Sequence, residues 1–278
     1  MKKFQIVVDS SSDIFEDHFN DEEIGLKLVP LTIHVGDKEF VDDVNLDTKE
    51  MLDAMHAYPA KSTSSCPPVG KFEEMFLQAE NTICITLSSG VSGTYNAARL
   101  AADSANEKGC NVVVIDSLST NGVLCLGVEK CYELIKQGLS FEEVAKKTEE
   151  YIRSLTLFIF LDKYDNLIKN GRMSKFSGII AGVLKIKPIC SPINGDIKLI
   201  EKKRTTVAAV KRMIEMIGER VTDLKDRTIV ISHCFDEESA LAIKDLISEC
   251  YTVGKIRIMK MRGLACFYAL EKGILISF

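Results

Sequence analysis

The sequence lacks the features that mark membrane-spanning and nucleic-acid-binding chains. It has no uninterrupted apolar stretch near the roughly 20 residues of a transmembrane helix, and its N-terminus has no long apolar segment typical of a signal peptide. The formal net charge is -5, so no basic excess exists to hold a phosphate backbone. These absences predict a cytoplasmic protein with no integral membrane segment and no nucleic acid as its main partner.

Metal and nucleotide motifs are also missing. The four histidines lie far apart, and the nine cysteines are scattered without a C-x-x-C pair. Their odd number and their positions in apolar segments indicate reduced thiols that act as small hydrophobic side chains. Neither G-x-G-x-x-G nor a Walker A pattern occurs, which argues against dinucleotides and P-loop nucleotides. We therefore expect no metal site and no cofactor.

The most informative segment that is present is ICITLSSGVSGTYN, residues 83–96. It is an apolar run followed by a loop of serines and glycines and then by a helical pattern. Gly90 and Gly93 permit a sharp turn, and a helix from about Thr94 would present unpaired N–H groups at its positive end. The hydroxyl donors of this loop are those of Ser88, Ser89 and Ser92. The segment predicts an anion site.

Similar segments recur along the first half of the chain. Apolar runs at 4–9 and 112–116 also lead into hydroxyl-rich residues, and a fourth loop at 61–68 reads KSTSSCPP. Parallel sheets bind ligands beyond the carboxyl ends of their strands, so several such loops favour one shared ligand. For any single loop, serines that simply cap helices and turns are the more common explanation.

The overall pattern predicts an α/β fold of two domains with the ligand between them. Residues 1–155 are predicted to form a parallel-sheet α/β/α part that carries the serine-rich anion-binding loops. Its predicted strands and helices are strands 4–9, 28–34, 82–87 and 112–116, and helices 47–56, 70–79, 94–107, 120–137 and 141–154.

Residues 156–278 are predicted to form a mixed-sheet α/β part that contributes to an apolar pocket. It opens with a strand near 156 and a hairpin that turns at Asn194 and Gly195. Its other predicted elements are helices 204–219 and 236–249 and strands 227–233, 255–261 and 273–278. Between the two parts, Lys169 and Arg172 lie in a glycine-containing turn. The small apolar residues at 178–184 suit either a tightly packed helix or space for an apolar guest.

Six motifs in one order resemble the DegV family. They are DSSSDIF at 9–15, LVPLTIHVGDKEFVDD at 28–43, TSSCPP at 63–68, LSSGVSGTYNAA at 87–98, LIKNGRMSK at 167–175 and KIKPICSPINGDIKLIEKKRT at 185–205. The resemblance implies a non-catalytic two-domain α/β protein that binds one long-chain fatty acid. In bacteria with a fatty acid kinase, it implies an acyl-carrying subunit that presents the carboxylate to the ATP-bound kinase for acyl phosphate formation.

The resemblance also implies roles for particular residues. Carboxylate binding is carried over to Thr63, Ser64, Ser65, Ser88, Ser89, Gly90 and Ser92. Within the second loop Ser89 is the preferred ligand. Arg172 matches the family arginine that faces the carboxylate end or the kinase, in a turn that we expect at the surface. Arg204 matches the Arg-Thr pair that follows the hairpin.

The chain departs from the family pattern at two places. Cys66 stands where the family has glutamine, and ALEKG at Ala269–Gly273 replaces a segment that carries a histidine in many members. The carboxylate shell therefore lacks one partner. The nearby candidates to replace it are Met261, Arg262 and Lys272.

Two other functions remain open at this level. A serine-dependent hydrolase or transferase would need a base, for which His233 beside Asp236 is the candidate, although a capping or surface histidine is the more common situation. The LSSGVSG loop is not a G-x-S-x-G elbow. A binder of a phosphorylated small molecule would also use serine and glycine loops at helix N-termini.

Overall fold

The protein is described by a computed structural model that covers residues 2–19, 21–173 and 186–278. Its strands are β1 (Lys2–Asp9), β2 (Ile24–Val29), β3 (Thr32–Val35), β4 (Lys38–Val41), β5 (Thr63–Ser65), β6 (Ala79–Thr86), β7 (Asn111–Asp116), β8 (Leu157–Phe160), β9 (Lys187–Ile193), β10 (Asp196–Lys203), β11 (Thr228–His233), β12 (Lys255–Lys260) and β13 (Ile274–Ser277).

The helices alternate with these strands. They are α1 (Thr48–Ala57), α2 (Val69–Phe76), α3 (Thr94–Glu107), α4 (Gly122–Lys136), α5 (Phe141–Ser154), α6 (Asp165–Lys169), α7 (Thr206–Arg220), α8 (Glu237–Cys250) and α9 (Gly263–Ala269), with short 3-10 helices at Ser10–Ser12 and Glu16–His18. None of the described helices combines the length and the apolar character that a bilayer crossing needs.

The first half forms a four-stranded parallel sheet in the order β2-β1-β6-β7. Its strands are nearly continuous apolar runs because helices cover both faces. One face packs against α2 and α3, with Phe72 and Phe76 fully buried there, and the other packs against α4. The predicted parallel α/β/α arrangement is confirmed.

The second half forms a six-stranded mixed sheet in the order β10-β9-β8-β13-β11-β12. All its pairs are antiparallel except that of β11 with β12. The hairpin of β9 and β10 turns at Asn194 and Gly195, which both have positive φ, as the Asn-Gly pair predicts. Helices α7 and α8 cover one face of this sheet.

A three-stranded antiparallel sheet, β4-β3-β5, lies beside the two large ones. It corrects two predictions. The single strand predicted over 28–34 is two strands, β2 and β3, because the chain breaks at Pro30, which has no N–H to donate to a ladder. The predicted loop at 61–68 contains a strand, since Thr63–Ser65 pairs with β3.

Helix α4 packs against both large sheets. It contacts β1 and β6 on one side and β11 and β13 on the other. At Gly122 a Cβ atom would lie 2.7 Å from the Oγ of Ser277, and at Gly127 it would lie 2.7 Å from Ile152, so both positions suit glycine. One apolar core therefore runs from the parallel sheet through α4 to the mixed sheet.

The two large sheets divide along the chain. All strands of the parallel sheet precede residue 117 and all strands of the mixed sheet follow residue 156. The domain boundary at 155 agrees with this division and stays a prediction. The sequence did not predict β4, α6 or α9. The apolar residues 178–184 lie outside the described residues.

Candidate ligand pocket

A cavity of about 320 Å³ lies between the parallel-sheet half and the mixed-sheet half. Most of its wall is apolar and comes from both halves. The apolar lining residues are Leu31, Leu87, Val91, Ile159, Leu161, Leu167, Ile197, Leu264, Ala265, Ala269 and Leu275. A cavity of this size and composition is typical of a site for a small apolar molecule.

Hydroxyl groups are gathered in part of the wall. Ser64 comes from β5 and Tyr268 from α9, and their hydroxyl oxygens lie 2.9 Å apart. Both residues are half-buried. Ser65 also lines the cavity, and its Oγ lies 2.9 Å from the Nε2 of His34 on the paired strand β3. The short strand β5 thus brings two of the predicted hydroxyls to the pocket.

The N-terminus of α3 forms the adjoining wall. Ser92 and Gly93 line the cavity, and α3 begins at Thr94 as predicted. The Oγ of Ser92 lies 2.8 Å from that of Thr94 and accepts the Thr94 N–H at 3.3 Å. This places a positive helix end at the pocket, where it favours an anion.

Arg172 supplies a positive charge to the cavity wall. It is half-buried and lines the cavity, while Lys169 and Gly171 of the same turn are exposed, as expected for a surface turn. Its Nε donates to the carbonyl oxygen of Val91 at 3.2 Å, and its guanidinium also donates to the carbonyl oxygen of Asn170. Among the described lining residues no other side chain is charged. The pocket therefore has a positive, hydroxyl-rich end.

Other predicted carboxylate ligands lie outside this lining. Ser88 is buried, and its Oγ donates to the carbonyl oxygen of Gly195 at 2.8 Å. Ser89 is exposed, and its backbone N–H donates to Asp116. Gly90 contacts the β9–β10 turn so closely that a Cβ would lie 2.6 Å from the Gly195 oxygen. Ser88 and Gly90 thus contact the second half of the protein through the hairpin turn.

Two further predicted residues are exposed. Thr63 starts β5, and Arg204 lies between β10 and α7. Neither lines the cavity. The structure thus brings Ser64, Ser65, Ser92 and Arg172 together at the pocket.

The other serine-rich segments are satisfied internally. Ser10 accepts the N–H of Leu31, and Ser12 donates to the carbonyl oxygen of Asp9. Ser117 donates to the carbonyl oxygen of Ser119 at 3.0 Å. All four serines of these segments that we name are buried. Their hydroxyls stabilise the loops by hydrogen bonds. This agrees with the alternative explanation that these serines cap helices and turns.

Buried carboxylates occupy the region before α9. Asp42 accepts the N–H groups of Gly263 and Leu264, each at 2.9 Å, and its side chain lies beside Arg262. Asp13 accepts the N–H of Arg262 at 2.9 Å. Burial raises the pKa of Asp42, and it raises the pKa of Asp13 well above its usual range. Arg262 therefore faces these acids and not the cavity.

Asp9 belongs to the same buried region. It accepts N–H groups from Leu87 at 2.6 Å and Ser11 at 3.0 Å. Burial raises its pKa to about 6, and the hydrogen bonds only partly offset this effect. Arg262, Met261 and Lys272, the candidates to replace the missing histidine, do not line the cavity.

One group outside the pocket has potential metal ligands. Atoms of His18, Cys125 and Glu129 lie within 4.8 Å of one another. Arg257 pairs with Glu129 and donates to the Cys125 sulfur, and burial raises the pKa of that thiol to about 12. A guanidinium already fills the position that a cation would take, and the thiol stays protonated. The group is best described as an ion-pair network.

His233 does not provide a base at the pocket. Its Nδ1 accepts the backbone N–H of Asp236 at 3.2 Å, and burial lowers its pKa. It lies at the end of β11 and does not line the cavity. His233 therefore activates no serine at the pocket, whereas a different histidine, His34, has its Nε2 2.9 Å from the Oγ of the lining residue Ser65.

Sequence reasoning missed several lining residues. The lining residues Tyr268 and Asn121 were not singled out, nor was His34, which contacts the lining residue Ser65. The signal for Asn121 was weak because its positive φ of 57° shows only in the structure. A signal for Tyr268 existed in its position, directly before the segment Ala269–Gly273 in which the family histidine is missing.

Comparisons with known proteins agree on one family. The family model described as "Uncharacterised protein, DegV family" matches residues 3–275. A DegV domain-containing protein of Streptococcus pyogenes serotype M1 is 35% identical over 278 residues, covering 99% of each chain.

Solved structures give the same result. The fatty acid kinase (Fak) B3 protein of Streptococcus pneumoniae, loaded with linoleic acid, is 33% identical with a TM-score of 0.93, covering 99% of both chains. A DegV family protein of Eubacterium eligens, loaded with heptadecanoic acid, is 31% identical with a TM-score of 0.90, covering 99% of this chain and 98% of that one.

Proposed function

The chain belongs to the DegV family, and we propose that it binds one long-chain fatty acid in the cavity between its two halves. The carboxylate would lie at the positive end formed by Ser64, Ser65, Ser92 and Arg172, with the acyl chain along the apolar wall. The composition of the cavity carries this proposal: apolar sides from both sheets, neutral hydroxyls, one cation and no acidic side chain among the described lining residues.

Electrostatics favour a carboxylate at this end. Arg172 is held by the carbonyl oxygens of Val91 and Asn170, so its charge has no acidic partner among the described residues. The α3 N-terminus adds a second positive contribution. Hydrogen bonds to a charged acceptor contribute about 1.5–3 kcal/mol each, more than those to a neutral one.

The apolar wall supplies the affinity. Each methylene transferred from water gains about 0.8 kcal/mol, so a chain of about sixteen carbons offsets a large ordering cost. The hydroxyls then determine which way the molecule enters. Such a division is usual for small-molecule sites, where a few polar groups fix orientation.

A carrier role is the second part of this proposal. The likeness to the Fak B3 protein supports presentation of the bound carboxylate to a fatty acid kinase in the cytoplasm, with ATP chemistry on the partner. The position of His233, which lies outside the cavity lining and accepts the N–H of Asp236, supports a non-catalytic role for this chain. Arg204 is exposed and is suited to contact such a partner.

The binding proposal is tested by lipid analysis. Protein purified from cells, extracted and examined by mass spectrometry should release about one fatty acid per chain. Delipidated protein should rebind palmitate or oleate at micromolar concentrations. Delipidated, folded protein that binds neither acid would refute the proposal.

The carrier role has its own test. The protein loaded with palmitate is incubated with ATP and each fatty acid kinase of its host, and acyl phosphate is measured. Turnover supports the carrier role. Binding without turnover with any kinase contradicts that role and leaves fatty acid binding intact.

A further inference from the structure

The hydroxyls of Ser64 and Tyr268 form a pair inside the cavity. Their oxygens are 2.9 Å apart, and either can donate to the other. In the part of the chain that the structure describes, neither hydroxyl has another hydrogen bond. The other polar side chains at this end of the cavity already form hydrogen bonds with other groups of the protein. Ser65 contacts His34, Ser92 contacts Thr94, and Arg172 contacts backbone carbonyls.

Counting protons shows what the pair can do. Two hydroxyls carry two donor hydrogens, and their mutual bond uses one of them. This mutual bond gives each oxygen a partner. When an acceptor enters, both hydroxyls can turn toward it and donate. The pair is therefore suited to act as a two-donor site for an acceptor that a ligand supplies.

Tyr268 is held firmly enough to act as an oriented donor. Its ring meets that of Phe267 edge to face at 4.7 Å between centroids. Its helix α9 is fixed at the N-terminus by Asp42, which accepts the N–H groups of Gly263 and Leu264. A side chain fixed by such packing loses little freedom when it binds a ligand.

We propose that Tyr268 is a specificity-determining residue that, together with Ser64, selects a free carboxylate over an esterified acyl chain. This inference rests on the proposed fatty acid binding. A carboxylate oxygen accepts two hydrogen bonds and gains charge-assisted strength from each. An ester carbonyl is neutral and gains less from the same donors.

Tyr268→Phe removes the hydroxyl and keeps the ring. Affinities for palmitate and methyl palmitate are measured on delipidated wild type and variant, with Tyr132→Phe as the matched control, since the Tyr132 hydroxyl bonds Asp21 away from the cavity. Palmitate affinity should fall about 10- to 100-fold in Tyr268→Phe, while methyl palmitate affinity should change by less than about threefold. Tyr132→Phe should match wild type for both ligands.

A double-mutant cycle checks that the two hydroxyls act together. Adding Ser64→Ala to Tyr268→Phe should weaken palmitate binding by less than the product of the single effects, because each single change already breaks the pair. Equal losses for acid and ester, or unchanged palmitate affinity in Tyr268→Phe, would overturn the inference while wild-type binding still supports the proposed function. A wild type that binds no palmitate would overturn both.

Discussion

The polar regions at the two ends of α9 differ in which groups accept hydrogen bonds from their N–H and O–H donors. At its N-terminus, Asp42 accepts the N–H groups of Gly263 and Leu264, and Asp13 accepts that of Arg262. The Arg262 side chain lies beside Asp42, although its Nη1 has no partner among the described residues. Toward its C-terminus, Tyr268 lies 2.9 Å from Ser64 and lines the same cavity as Arg172. Both regions are rich in polar groups, and none of the described residues that line the cavity is acidic.

This difference distinguishes polar groups that stabilise the fold from polar groups that are available to bind a ligand. A buried carboxyl group that accepts helix N–H groups holds the local fold, even though burial raises its pKa. A cluster of donors without an acid leaves the acceptor to come from outside. Changes in the first region should therefore alter unfolding, and changes in the second should alter binding.

The largest expected effect is on unfolding, from Asp42→Ala. The change removes the acceptor of two helix N–H groups and leaves Arg262 buried with less compensation. Loss of one partner of a buried pair costs about 3–5 kcal/mol. Urea unfolding should show this loss, and the exposed Asp37→Ala should show almost none. Equal midpoints for the two variants would contradict the role of Asp42.

A smaller effect concerns pH and Asp9. Its pKa is raised from 3.8 to about 6, so the folded protein binds a proton more tightly than the unfolded chain. The resulting stability is fully present below about pH 4 and is lost as pH rises through about 6, by roughly 3 kcal/mol.

Asp9→Asn isolates this contribution because asparagine does not ionise. Urea unfolding of wild type and variant is measured at several values between pH 4 and pH 7.5. Relative to the variant, wild type should lose stability as pH rises over this range. A difference between the two proteins that stays constant with pH would show that Asp9 keeps one protonation state.

The smallest effects are expected from serine-to-alanine substitutions, one in each kind of region. Ser12→Ala removes a buried hydroxyl that donates to the Asp9 carbonyl, and it should lower unfolding free energy by about 1 kcal/mol without changing palmitate affinity. Ser64→Ala should do the reverse, with about 10- to 100-fold weaker palmitate binding and nearly unchanged unfolding.

Ser89→Ala serves as the control for this pair. Its side chain is exposed, and the bond to Asp116 uses the backbone N–H that alanine keeps. Unfolding and binding should both match wild type. Stronger loss of binding in Ser89→Ala than in Ser64→Ala would restore the original preference for Ser89 as the carboxylate ligand.

Periodicity and turn chemistry predicted most of the fold. The helices Thr94–Glu107 and Phe141–Ser154 have the predicted bounds, the latter because Ser140 and Glu143 form a capping box. The short elements escaped prediction. A three-residue strand such as β5 and a seven-residue helix such as α9 contain too few residues to show a period.

The site was predictable only in part. The sequence identified hydroxyl-rich segments, but it does not show whether a serine side chain faces a cavity or a neighbouring carbonyl oxygen. Ser88 is buried because the hairpin turn at Gly195 folds over it, a contact 107 residues away in the chain. Arg172 turns inward because the carbonyl oxygen of Val91 receives it. Such long-range partners leave no local signal.

Helix α4 has a consequence for cooperativity. Because it supplies apolar side chains to both large sheets at once, a fragment ending at residue 155 would expose the face of α4 that β11 and β13 cover. A fragment that starts at residue 156 would lack α4, so the surface of β11 and β13 that α4 covers would be exposed. The two halves are thus structural divisions rather than independent folding units. Thermal melting should be a single transition, and a molecule bound between the halves should raise its midpoint for the whole chain.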